Sequence, residues 1–101
     1  MDSYLFKSNG QYLGFITDQG YIFSHNGVYL GWLESNYAWD TDGNFRGQLM
    51  EIDGHKYILK NIYTIPPIPK PQKPTPQPPV IPNPQPIIKA VELQIGLKDA
   101  F

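Results

Sequence analysis

Beginning at Tyr4 the chain reads YLFKSNGQYLGFI, and beginning at Tyr21 it reads YIFSHNGVYLGWL. A third copy, YAWDTDGNFRGQL, starts at Tyr37, and the three align without a gap. The opening slot is Tyr4, Tyr21 and Tyr37, and two residues on stand Phe6, Phe23 and Trp39. Next come Asn9-Gly10, Asn26-Gly27 and Asp42-Gly43, then Tyr12, Tyr29 and Phe45, then Gly14, Gly31 and Gly47. Agreement at five slots in three copies marks an internal repeat, and a repeat sets the architecture before any single residue is weighed.

Each unit reads as a β-hairpin. Asn-Gly or Asp-Gly between two short aromatic and aliphatic runs supplies the positive φ angles of a tight turn. The flanks alternate as strands do: Tyr4 and Phe6 share a face opposed to Leu5 and Lys7, and Tyr12, Gly14 and Ile16 one opposed to Leu13 and Phe15. Glycine within a strand is unfavourable, so its recurrence at Gly14, Gly31 and Gly47 calls for close approach of another backbone near a shared axis. Connectors at 17–20, 34–36 and 50–56 join one hairpin to the next.

A fourth unit opens at Tyr57 as YILKNIY, but the turn glycine does not follow. Residues 65–86 instead read IPPIPKPQKPTPQPPVIPNPQP and contain all eleven prolines. Such a run cannot build a ladder of hydrogen bonds and is expected to be extended polyproline II. Beyond it Val91, Leu93, Ile95 and Leu97 alternate with Glu92, Gln94, Gly96 and Lys98, a strand pattern; Ile88, Val91 and Ile95 also fit one side of a helix, against which Gly96 counts. The step Ile95-Gly96-Leu97 matches Leu13-Gly14-Phe15, so 91–97 reads as the return strand pairing with 57–63. The expected fold is all-β, one domain over 1–101: a pseudo-four-fold repeat of hairpins at 4–16, 21–33, 37–49 and 57–63 with 91–97, the proline-rich loop lying inside the fourth.

Four such units with YLGF, YLGW and a proline-rich run before a final Ile-Gly step resemble the bacterial four-fold beta-flower domain. Arg46 and Gln48 depart from the pattern, standing where an aliphatic and an aromatic residue stood before. The resemblance implies a single-chain pseudo-four-fold ring of hairpins and carries over no catalytic residue. The segment from Gly31, GWLESNYAWDTDGNFRGQL, also resembles choline- or glucan-binding cell-wall repeats, but only one Gly-Trp pair occurs and runs of adjacent aromatics are missing.

Composition narrows the function classes. A chain of 101 residues with a proline-dominated quarter makes a modest core, which leaves self-association open. There is no cysteine, hence no thiolate nucleophile and no cysteine-ligated metal. The formal net charge of −1 gives no general attraction to nucleic acid or anionic lipid, and neither a membrane span nor a secretory signal is written. The expectation is a cytoplasmic protein.

His25 and His55 read as turn residues. Asp40-Thr41-Asp42-Gly43-Asn44 resembles the start of a calcium loop, but the run that follows to Glu51 reads as strand, so it reads as a hairpin turn. Asp18, Glu34, Asp40 and Glu51 form no nucleophile-base pair, and the chain is read as no enzyme, with no cofactor and no metal. The candidate contact residues are Tyr4, Tyr21, Tyr37 and Tyr57, whose hydroxyls could ring an axis, with Trp32 and Trp39. Pro66, Pro69, Pro71 and Pro74 join them, since lysine flanks PxxP spacing at 70–74 as in SH3 and WW ligands. The function expected is a non-catalytic binding or assembly module with a protein partner or a second copy. Its rivals are a small-molecule binder holding a nucleotide-like or quaternary ammonium ligand by aromatics around the axis, and a cell-wall carbohydrate or choline repeat.

Overall fold

A computed structural model of the protein describes residues 3–101. Eight strands follow one another: β1 (Ser3–Phe6), β2 (Tyr12–Ile16), β3 (Tyr21–Ser24), β4 (Tyr29–Glu34), β5 (Tyr37–Asp40), β6 (Phe45–Ile52), β7 (His55–Asn61) and β8 (Leu97–Asp99). Each pairs antiparallel with the next, and β1 also pairs parallel with β7, Leu5 facing Lys56 and Phe6 facing Tyr57. That last pairing closes β1–β7 into a barrel of hairpin petals, and β8 continues along β7 beyond the end of β1.

The petal turns differ in detail from a two-residue hairpin loop. In the first, Lys7 N–H donates to Gln11 O, Gly10 N–H donates to Lys7 O, and the pairing register slips between Leu5 and Phe6. Only the glycine of each Asn-Gly or Asp-Gly pair has positive φ, 91° at Gly10, 86° at Gly27 and 86° at Gly43. This is a three-residue loop ending in a glycine bulge. Two-residue turns with both angles positive occur between petals, at Ser35-Asn36 and Asp53-Gly54.

One aliphatic residue per petal, Leu5, Ile22, Ala38 and Ile58, is almost fully buried in a shared cluster that forms the axis. The strand glycines make that convergence possible. A Cβ on Gly14 would lie 2.0 Å from Phe23 O, and one on Gly31 1.8 Å from Trp39 O, the neighbouring petal's backbone filling the space in both cases. Close approach is therefore the reason for these glycines, as their recurrence implied.

Larger side chains fill the seams between petals. Phe15 faces Phe23 across the first seam with stacked rings 5.6 Å apart, and Trp32 faces Trp39 across the second. At the third, Gln48 faces Leu59, which explains how a polar residue is accommodated there: Gln48 is exposed.

The fourth petal corrects the expected register. The return strand is Leu97–Asp99 rather than 91–97, and residues 91–94 lie outside any strand or helix. Leu97 N–H donates to Gln94 O at 3.0 Å across a turn in which Gly96 has φ 92°. Gly96 is thus the turn glycine of this petal, not its strand glycine. Ala100 takes the strand position, its N–H donating to Ile58 O at 3.0 Å, opposite the residue equivalent to Leu5. Gly96 sits in this turn and not in a strand, so the alternation that begins at Val91 stops before pairing starts.

Candidate functional site

Residues 65–93 carry no regular hydrogen-bonded element, yet they neither project from the domain nor form a separate tail. They run around the petals as a belt. Lys70 N–H donates to Gly43 O at 2.8 Å, Ile88 N–H to Gly10 O at 2.9 Å, and Val91 N–H to Ser8 O at 2.8 Å. Between these points the Ile81 side chain lies against Gly27, whose Cβ would come within 2.9 Å of Ile81 Cδ1. The belt therefore meets the turn glycines of petals three, two and one in that order and returns to petal four. The glycines admit it: a Cβ on Gly10 would fall 2.0 Å from Ile88 O, and one on Gly43 1.9 Å from Lys70 O.

At the seam of petals two and three the belt is held by charge and aromatic faces together. Lys70 Nζ lies 2.6 Å from Glu34 Oε2 and Lys73 Nζ 3.1 Å from Glu34 Oε1. The same ammonium groups stand over indole rings, Lys70 5.1 Å from the Trp39 centroid and Lys73 5.2 Å from that of Trp32. Trp32 Nε1–H donates to Glu34 Oε1 at 3.1 Å, fixing the carboxylate between its two partners. Lys70 and Lys73, three residues apart, reach one carboxylate, which fits the three-residue turn of the polyproline II expected for 65–86. Hydrogen bonds from Lys70 and then Lys73 hold the Glu34 carboxyl down to about 2 against its ordinary 4.5. The contacts are made by lysine ammonium groups on a carboxylate and two indole faces, while Pro69, Pro71 and Pro74 stay exposed.

The first seam lies beneath another part of the belt, where Pro76, Pro79 and Val80 border a groove with Phe23 and Asp18. At the fourth seam Ile88, Val91 and Leu93 pack on Phe6, Tyr57 and Leu59. The sequence could not place these docking points, because a polyproline stretch has no hydrophobic period that names its partner surface. One signal was available: two lysines three apart in the belt, and a carboxylate next to a tryptophan strand.

The tyrosine slots do not meet at the axis, which is aliphatic. Tyr4 and Tyr21 pack edge-on against Tyr12 and Tyr29 of their own petals, both at 6.1 Å, and Tyr37 against Phe45 at 5.6 Å. They sit on the strand face opposite Leu5, Ile22 and Ala38, and Tyr4 and Tyr37 are about two-fifths exposed, at 39% and 43%. Tyr57 alone is buried, and burial pushes its phenol up, with Asp53 and Asp99 adding to the rise. Four hydroxyls around one axis are therefore absent, and with them the geometry for an axial ligand held by stacking. Trp32 and Trp39 are buried under the belt. Pro66, Pro69, Pro71 and Pro74 are exposed, on either side of the half-buried Lys70.

The model of one family, described as the 4-fold beta flower protein, matches residues 1–93 of this chain, whose hairpins close by β1 on β7. The chain belongs to that family. No curated protein and no solved structure matches it. In this beta flower Gly31 is a point of close backbone approach and Trp32 a seam residue.

The remaining candidates stay apart. His25 is exposed in a turn, its N–H donating to Leu13 O at 2.9 Å, and His55 packs against Phe6 at 5.2 Å. Asp40 Oδ1 accepts from Asp42 N–H and Asn44 N–H, both at 3.0 Å, capping its own hairpin turn in the manner of a short polar side chain. Among the described residues no three His, Asp or Glu side chains converge as a metal site, and no helix is long and apolar enough to cross a membrane.

Proposed function

We propose that this beta flower is a non-catalytic binding module that contacts a protein partner through the outward edge of its belt. The observation that carries the reading is the pair Ile65 and Ile68, each 88% exposed immediately before the belt docks at Lys70. In polyproline II, the form expected of 65–86, residues three apart stand on one edge, and Lys70 fixes the far end of the stretch. Large aliphatic side chains held in water on a pre-ordered backbone cost little further entropy to bind. The partner they fit is a groove lined with aromatic side chains, of the kind that reads proline-rich segments. Ile95, 93% exposed and bordering the same groove as Ile65, extends the apolar surface.

The test is affinity capture with the folded protein from its own source, then titration of the captured partner against the wild type and an Ile65→Ser, Ile68→Ser double variant. A drop of about tenfold or more at unchanged melting temperature supports the reading, since two aliphatic anchors are removed. Equal affinity of the two forms sinks it. So does a stoichiometric small molecule retained in native mass spectrometry with no protein partner.

A further inference from the structure

All four petals contribute to an open cup of about 810 Å³, and Gln85 and Ile87 of the belt complete its lining. Leu13, Leu30 and Arg46 hold one repeat slot in petals one to three, and Phe101 enters from petal four. Leu13, Leu30 and Phe101 pack against the axial core and form an apolar floor. Lys7 stands at the rim, and no carboxylate side chain lines the cup. The fourth residue of the slot, Asp99, would have supplied one, but its two oxygens accept from Ser8 N–H at 2.8 Å and Ser8 Oγ–H at 2.7 Å, closing petal four onto petal one.

Arg46 is held in position rather than free. Its guanidinium carbon lies 4.7 Å from the Phe101 ring centroid, and Nη2–H donates to Ala100 O. Nη1 is 3.8 Å from Asp40 Oδ2, too long for a full hydrogen bond, and the side chain keeps 39% of its exposure. A fixed planar cation stacked on an aromatic ring, with donors left over and a second cation at the rim, recognises a planar anion. An apolar floor with a few convergent polar groups is the general make-up of a small-molecule site.

We propose that this cup binds a small amphipathic anion: a carboxylate or sulfonate group against Arg46 and Lys7, and an aromatic or aliphatic body on Leu13, Leu30 and Phe101. Belt residues Gln85 and Ile87 line the cup, but Ile65 and Ile68 do not, so the site does not depend on the contact edge proposed above. Cationic ligands are disfavoured there by the same charges.

The probe is 8-anilinonaphthalene-1-sulfonate, followed by its fluorescence against the folded full-length protein, with N-phenyl-1-naphthylamine as its uncharged counterpart. Saturable one-to-one binding is expected, weakened at least about fivefold by Lys7→Glu, a reversal of charge at a partly exposed rim. Leu30→Trp fills the floor and is expected to reduce binding of both probes. Circular dichroism melts of each variant separate loss of the site from loss of the fold, and Lys7→Glu, at a half-buried surface position, keeps the test open if Leu30→Trp does not fold. Equal affinity for charged and uncharged probes, no effect of Lys7→Glu, or no saturable binding to the native protein each overturns the proposal.

Discussion

Lys70 and Glu34 are 36 positions apart in the chain, and their charged atoms are 2.6 Å apart. That contact ties the proline-rich belt to the seam of petals two and three. Lys73 shares the same carboxylate at 3.1 Å, so two lysines three residues apart in the belt are anchored at one acidic point. The belt is thereby part of the fold.

The pairing sets a pH dependence. The Glu34 carboxyl is held at about 2 in the folded chain against an ordinary 4.5, by hydrogen bonds from Lys70 and then Lys73. A folded pKa below the unfolded one gives stability that is present above about 4.5 and is lost as pH falls toward 2. Because the Glu34 side chain is 36% exposed, screening limits the contribution to no more than about 1 kcal/mol. Carbon-13 titration of Glu34 checks the value directly. Glu34→Gln is expected to remove the low-pH loss of belt docking and to loosen Lys70 and Lys73 at neutral pH.

Belt contact and backbone strain can be separated at two glycines. Gly43 and Gly54 have nearly equal φ, 86° and 81°, but a Cβ on Gly43 would strike Lys70 O at 1.9 Å, whereas one on Gly54 meets nothing within 4 Å. Gly54→Ala is expected to cost about 1–2 kcal/mol, the strain of a left-handed conformation. Gly43→Ala should cost at least about 1 kcal/mol more, because the belt must leave its place. Denaturant unfolding of the two variants measures the difference. Equal losses would mean the belt is not seated on Gly43.

Three petals were legible in the sequence because each writes its own turn. The fourth was half legible. Gly96 follows Ile95 rather than Asn or Asp, and more than thirty residues separate it from β7, so its match to Gly14 was more visible than its match to Gly10. The spacing that decides the matter is the four residues from Gly96 to Ala100, equal to that from Gly10 to Gly14, with Phe101 following as Phe15 does. Alanine in place of the strand glycine hid it. The tyrosines misled for a related reason: the aromatic slots stand out in the sequence, whereas the aliphatic slot between them, Leu5, Ile22, Ala38 and Ile58, forms the axis. The cup was not legible at all, because Leu13, Leu30 and Phe101 meet only when the ring closes.

Truncation tests the fourth petal. Ending the chain at Tyr63 removes β8, leaves Leu59–Asn61 of β7 without a partner on that edge, and uncovers Phe6, Tyr57 and Leu59, which pack under Ile88, Val91 and Leu93. Exposing these apolar side chains is expected to cost at least about 3 kcal/mol. Thermal or denaturant unfolding provides the check. A truncated chain as stable as the full one would make β8 and the belt accessories.

The central claim, that the proline-rich segment is a belt docked on the petal turns, is tested most directly by residue-resolved amide hydrogen exchange. Lys70, Ile88 and Val91 donate to Gly43 O, Gly10 O and Ser8 O, at 2.8, 2.9 and 2.8 Å. A docked belt predicts protection of these three amides, with Ile68 and Val80, both about nine-tenths exposed, exchanging close to the free-peptide rate. Free-peptide exchange at all five would contradict it.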